Sequence, residues 1–153
     1  MGRNFQIRAL EPGDYAQWLG LWEGNNAFYE RVGANALAPA VTETLWARLF
    51  FAREPIFGLA ASCDGVLLGL THYLFHRSTS ATGDNCYLQD LFAQPSARGR
   101  GVRRGLIEAV YDRAREAGAG RVYWQTHETN LVARILYDEL AQRSGFMVYR
   151  KML

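Results

Sequence analysis

The chain is poor in several features that would each announce a class of protein. It has one lysine, Lys151, beside sixteen arginines, so covalent catalysis through a lysine has a single, poorly placed candidate. Its two cysteines, Cys63 and Cys86, are too few and too isolated for a disulfide framework or a zinc site. Both read as buried free thiols, and no metal is expected. No stretch approaches the roughly 20 apolar residues needed to cross a bilayer. The opening MGRNFQIRALEPGD also lacks the apolar core of a signal peptide, which excludes a membrane partner and suggests a cytoplasmic protein. Net charge is small as well, at +2. An anionic partner must therefore be gripped by a local cluster and not by the field of the whole molecule, which argues against a dedicated nucleic-acid binder.

What is present fits one ordinary globular domain: 153 residues, 49% hydrophobic and 21% charged, long enough to bury a real core. FQIRALEPGD reads as a short strand closed by Pro12 and Gly13. DYAQWLGLWEGNNAFY follows as a helix with Trp18, Leu21 and Trp22 at helical spacing and Asp14 as its cap. After a loop with Gly33 and Pro39, TETLWARLFF marks a second short helix. IFGLAASC, VLLGLTHYLFHR and NCYLQDLFA are rich in strand formers and read as three consecutive antiparallel strands. Asp64-Gly65 between the first two has the chemistry of a two-residue hairpin turn, and STSATGD forms a longer polar loop. Helical spacing returns with Val102, Leu106, Ala109 and Val110, and Gly118 stops that helix. RVYWQT is a strand. TNLVARILYDELAQRSG is a last helix with Thr129 or Asn130 as cap and Gly145 as stop, and FMVYRKML is a final strand. No repeat, low-complexity tract or linker interrupts this order, so residues 1–153 are expected to form a single α/β (α+β) domain.

The run AQPSARGRGVRRGLIEAV, from Ala93 to Val110, places four arginines and three glycines between a strand and a helix. A helix start presents about four unpaired backbone N–H groups and a partial positive charge. Gly99 and Gly101 remove side chains that would hold a ligand away from that backbone, so the expected anion is a phosphate or pyrophosphate. The spacing fits neither the Gly-Lys-Ser/Thr loop of kinases and ATPases nor the dinucleotide fingerprint.

It does resemble the acyl-coenzyme A loop of the GNAT N-acetyltransferase superfamily, whose pattern is Arg/Gln-x-x-Gly-x-Gly/Ala after the fourth strand. Arg98-Gly99-Arg100-Gly101-Val102-Arg103 occupies that pattern here, with Arg103 where Gly or Ala is usual. Downstream, YWQTHETNLVARILYDELAQRSGF looks like the superfamily's second signature, with Asn130 after the fifth strand, Tyr137 seven residues on and Gly145-Phe146 closing the segment. YLQDLFAQPSARGRG resembles the matching segment of spermidine/spermine N-acetyltransferases and of the yeast histone and D-amino-acid acetyltransferase group. The resemblance implies a mixed central sheet of about six to seven strands, splayed between the fourth and fifth and flanked by about four helices. It also implies acetyl-coenzyme A as cosubstrate, an amine acceptor that is a small molecule or a peptide lysine, and, with FMVYRKML at an edge, a homodimer.

An amine attacking a thioester needs an N–H donor for the oxyanion, a proton donor for the thiolate and a way to lose its own proton. The resemblance gives the first task to the splayed strand at Leu91, Phe92 and Ala93. Arg98, Gly99, Arg100, Gly101, Val102 and Arg103 would then hold the pyrophosphate, and Asn130 the pantetheine arm. Tyr137 is the candidate acid, since a phenol of pKa about 10 is matched to a thiol near 8.5; on helical spacing alone a core residue is the commoner reading, and the Asn130-to-Tyr137 spacing shifts it. The base is less direct. Polyamine-acetylating relatives carry a glutamate where this chain has Gln89, and Asp90, one residue on, should face the other side of the strand. A water chain ending on Asp90 would serve, and His72, His76 and His127 titrate near neutrality. The acceptor pocket is expected between Trp22 and Thr44, where Glu23, Phe28, Tyr29 and Glu30 suit a cation. For a free amino acid, Arg31 or Arg77 would meet the carboxylate.

Two other classes compete with the enzyme. A non-catalytic acyl-coenzyme A sensor or scaffold would keep the phosphate loop and lose the acid, and the presence of Tyr137 argues against it. A nucleic-acid binder using Arg98, Arg100, Arg103 and Arg104 would need a wider basic surface, whereas Glu108, Asp112 and Glu116 follow on the same helix.

Overall fold

The computed structural model describes residues 4–153; Met1, Gly2 and Arg3, counted in the expected single domain, lie outside the described residues. The order is β1 (Gln6–Ala9), α1 (Tyr15–Phe28), α2 (Pro39–Leu49), β2 (Ile56–Cys63), β3 (Val66–His76), β4 (Asn85–Ala93), α3 (Val102–Glu116), β5 (Val122–Tyr123) and α4 (Leu131–Leu140). The sheet runs β1-β2-β3-β4-β5. Its first four strands are antiparallel, and β5 joins parallel to β4 through α3, which makes the sheet mixed.

Each face of the sheet is covered, because the strands alternate apolar residues to both sides. Leu59 and Ala61 face α3 and pack with Val102, Leu106, Ile107 and Val110. Ala60 between them faces the other way and packs with Leu70 and with Trp18, Leu21 and Trp22 of α1. The hairpin joining β2 to β3 turns at Asp64 and Gly65, with φ of +50° and +78°, the mirror-image turn that their side chains tolerate. Helix α3 ends on Gly118 in the left-handed region, with Ala119 N–H on Ala114 O and Gly118 N–H on Arg115 O, a Schellman close.

Several expectations are corrected. The described residues form five strands, not six or seven. RVYWQT contributes only Val122–Tyr123, and FMVYRKML is not a strand: residues 141–153 carry no regular structure, and Phe146, Met147 and Tyr149 are largely exposed. A strand exists only by pairing, and among the described residues this segment pairs with none. Helix α4 ends at Leu140, so Gly145, although at φ +82°, is not its stop. Asp14 and Asn130 occupy the expected cap positions without making side-chain caps. Asp14 instead accepts both Arg8 guanidinium nitrogens, at 2.7 and 2.9 Å, and the Glu11 N–H; this holds its carboxyl below the usual range, chiefly through the hydrogen bond from Arg8. Asn130 donates to Thr126 Oγ1. Cys86 is buried as expected, and Cys63 is only half-buried.

Candidate active site

The arginine-glycine loop is built as its sequence suggests. Gly99 and Gly101 have φ of +77° and +75°, and a Cβ at either would meet nothing within 4 Å. Both therefore occupy a backbone conformation that side chains resist, beside open space. The first bond of α3 runs from Gly105 N–H to Gly101 O at 2.9 Å, so the amides of Val102, Arg103 and Arg104 precede the ladder. The loop arginines divide. Arg100 donates to Asn4 O and Arg104 pairs with Glu139 of α4, whereas Arg98 is exposed and Arg103 lies near enough to Tyr137 to act on its phenol. The glycines and amides thus form a cradle fit for a pyrophosphate, with Arg98 and Arg103 as the loop arginines that make no ion pair among the described residues.

That cradle continues into β4. On one side Leu91, Phe92 and Ala93 pair with Thr71, Leu70 and Gly69 of β3. On the other side β4 pairs with β5 at Cys86 and Tyr87, and beyond Tyr87 that edge of β4 has no strand partner among the described residues. This is the expected splay between the fourth and fifth strands. Gly69 makes the junction possible: a Cβ there would stand 2.7 Å from Phe92 O and 2.8 Å from Val102 Cγ1, so the end of β4 and the first residue of α3 both close onto bare backbone.

The expectation for Gln89 and Asp90 fails. His72 pairs with Asp90 while Tyr73 pairs with Leu88, which makes Gln89 the extra residue of a β-bulge. Strict alternation would have pointed Asp90 into the apolar layer under α3 with Leu88. The bulge turns it to the α1 side, and Gln89 and Asp90 line one cleft of about 540 Å³. Thr71 Oγ1 donates to Asp90 O at 2.7 Å and so satisfies the carbonyl of the displaced backbone. The Asp90 side chain is 8% exposed, and its Oδ2 lies 3.0 Å from His72 Nδ1. His72 Nε2 in turn accepts the Trp18 indole N–H at 3.0 Å.

The other walls of the cleft come from α1, α2 and the turn after α1. Trp22, Arg31 and Arg48 all line it. The Arg31 guanidinium sits 4.9 Å over the Tyr29 ring and donates to Asn26 Oδ1; Arg48 is 3.8 Å from Glu54. The Tyr29 phenol is raised above its usual range, first by burial and then by the Asp90 charge, with Arg31 opposing. Tyr137, edge-on to Trp124 at 5.4 Å, is raised by burial and by Tyr29, with Arg103 opposing. Tyr29 therefore lies within electrostatic reach of both Asp90 and Tyr137. A raised phenol keeps its proton at neutral pH, the state a proton donor requires.

Other sequence candidates separate from this group. Glu23 lines an adjoining recess of about 340 Å³, and Phe28 packs edge-on to Tyr29 while 61% exposed. Arg77 bridges to Asp84 on the surface. His76 bonds the Tyr123 hydroxyl and His127 bonds Thr129, so of the three histidines only His72 borders the cleft. Trp18, Trp22 and Arg48 are additions that sequence reasoning missed. The sequence shows the two tryptophans only as a helical stripe, with Trp22 at the border of the expected acceptor region, and nothing in it singles out Arg48.

The chain belongs to the Acetyltransferase (GNAT) family, which it matches over residues 18–141; it is thus an enzyme of the acetyl-transferring class, in a family that uses acetyl-coenzyme A. It is 33% identical over 147 residues to the D-amino-acid N-acetyltransferase HPA3 of Saccharomyces cerevisiae, covering 95% of this chain and 89% of that protein. It is 26% identical over 153 residues to the thialysine N-epsilon-acetyltransferase of Caenorhabditis elegans, covering 97% and 92% respectively. Its fold is similar to that of AAC(6')-Iy solved with a bisubstrate analogue, with a TM-score of 0.80, 19% identity and coverage of 97% and 99%.

Proposed function

We propose that this chain, acting as one domain in the cytoplasm, moves an acetyl group from acetyl-coenzyme A to the primary amine of a small molecule that also carries a carboxylate, an amino acid or close analogue. The observation that carries this reading is the charge layout of the cleft: Asp90 on one wall, and Arg31 and Arg48 on others. A carboxylate suits an ammonium group, and a guanidinium suits a carboxylate in a forked geometry. A polyamine has no group for two arginines. The names of the yeast and nematode relatives, a D-amino-acid and a thialysine N-acetyltransferase, point to the same class.

In this reading the amine gives a proton to Asp90 and its lone pair attacks the thioester carbonyl carbon. The carbon–sulfur bond then breaks, the thiolate takes the Tyr137 proton, and the second proton shed by the nitrogen as the amide forms restores the Tyr137 phenol. Backbone groups of Leu91, Phe92 and Ala93 hold the thioester arm, the loop from Arg98 to Arg103 holds the pyrophosphate, and Asn130, at the start of α4, bonds the pantetheine arm. Tyr29 and Gln89 contact the acceptor. Two copies associate through the apolar C-terminal segment and the exposed α4 face of Leu131, Val132 and Ile135.

A panel of amino acids of both hands, polyamines, simple primary amines and a histone-tail peptide, assayed by thiol release from acetyl-coenzyme A, tests the substrate class. The highest kcat/KM is expected for an amino acid. Arg48→Met should raise KM for that substrate about tenfold, the scale of one lost charge-assisted contact, and leave a carboxylate-free amine unaffected. Preference for a polyamine with no response to Arg48→Met would overturn the assignment.

A further inference from the structure

The bulge that delivers Asp90 to the cleft sets it opposite His72 of β3, and the direction of its carboxylate depends on what the side chain meets there. Two side chains supply that direction. Trp18 is fully buried and His72 is 1% exposed, and both rings stand against Trp22, with centroids 6.0 Å and 5.4 Å away. An indole nitrogen donates and never accepts. With Trp18 Nε1 at 3.0 Å from His72 Nε2, that imidazole nitrogen must be the acceptor and carry no proton. The single proton of the neutral ring then sits on Nδ1, which faces Asp90 Oδ2 at 3.0 Å.

We propose that Trp18 and His72 are positioning residues: Trp18 fixes the histidine tautomer, and His72 uses the proton so fixed to hold Asp90 Oδ2, aiming Oδ1 at the acceptor amine. The inference rests on the reading of Asp90 as the proton acceptor and adds what that reading lacks, a reason for the carboxylate's direction. It also assigns His72 a role other than base. Its Nε2 faces an N–H, so a proton there would put two donors against each other. The amine's proton goes to Asp90 Oδ1 while Oδ2 keeps its bond from His72, and His72 itself keeps its protonation state throughout.

The full-length enzyme with its best amine substrate provides the test. Asp90→Asn keeps shape and removes the base, and should lower kcat by about 10²-fold, a usual scale for a lost proton-transfer group. His72→Leu should lower kcat roughly tenfold or more while KM and the coenzyme dissociation constant stay within about threefold. His72→Asn, whose amide can donate from near the Nδ1 position, should restore most of that loss. In the wild-type protein, nitrogen-15 spectra of His72 should show the proton on Nδ1 and none on Nε2, a reading independent of whether any variant folds. Trp18→Phe should mix the two tautomers. A wild-type His72 protonated on Nε2 overturns the proposal, as does equal turnover by His72→Leu and His72→Asn when both fold. A fully active Asp90→Asn overturns the base assignment instead.

Discussion

The half of the molecule built from α1, β3 and β4 and the part that follows β5 obey different rules, although both are rich in apolar and aromatic residues. In the first half nearly every polar group at the site has an internal partner. Trp18, His72, Asp90 and Thr71 form a hydrogen-bonded chain and are each at most 8% exposed. After β5, apolar side chains face outward: Leu131, Val132 and Ile135 on α4 are 65 to 72% exposed, and Phe146 is 89% exposed. The first region satisfies its chemistry within one chain, as a site that must hold fixed geometry requires. The second has the composition of a buried surface without a cover in the single chain, the mark of an interaction site.

The comparison predicts where substitutions will hurt, and the largest effect is expected where the two regions meet. Tyr137 belongs to α4 by position and to the site by contact, packing on Trp124 and lying within reach of Tyr29 and Arg103. Tyr137→Phe keeps the ring and removes the hydroxyl. Turnover should fall roughly 10²-fold, with coenzyme affinity within a few-fold by calorimetry. Near wild-type turnover would make Tyr137 a packing residue and return it to the outward-facing region's account.

Next in size is Gly69→Ala, a one-carbon change confined to the first region. The new methyl would press on Phe92 O at 2.7 Å and Val102 Cγ1 at 2.8 Å, and a backbone oxygen in a sheet has little freedom to yield. Overpacking of this kind costs about 1–3 kcal/mol, readable in urea unfolding. Because the same contact sets the end of β4 against the start of α3, coenzyme affinity should fall with stability. A stable variant with intact binding would show that the junction is looser than the distances imply.

The same contrast explains what could be read from the chain in advance. Turns and loops that depend on local backbone freedom were legible: Asp64-Gly65, the glycines of the anion loop and Gly118 all appear where their chemistry places them, at positive φ. The backbone of the arginine-glycine loop was legible for that reason. The direction of Asp90 was not, because a bulge at Gln89 carries no glycine or proline to mark it and period-two counting runs straight through it. His72 could be named as titratable, but its partnership with Trp18 lies 54 residues apart in sequence, a separation that no local pattern spans. FMVYRKML was misread for a different reason. Its alternation suits a strand, but pairing depends on a neighbour, and it pairs with none among the described residues.

The smallest effect on the single chain, and the sharpest test of the contrast, is expected at Val148, 66% exposed in the C-terminal segment. A surface substitution away from packed features usually changes stability by no more than about 0.5 kcal/mol, so Val148→Asp should leave the unfolding of dilute protein within that range. If this segment is instead covered by a second copy, a carboxylate placed there loses water on association and finds no designed partner, and its desolvation opposes binding. Analytical ultracentrifugation should then show a dimer in the parent protein at tens of micromolar, a scale on which roughly micromolar affinity persists, and at least tenfold weaker association in the variant. Acetyl transfer under dilute conditions should be unchanged, because the hydrogen-bonded chain of the first region lies within one copy. A parent protein that stays monomeric would leave the exposed apolar face without the proposed partner, and an unstable Val148→Asp monomer would mean that the segment packs on its own chain after all.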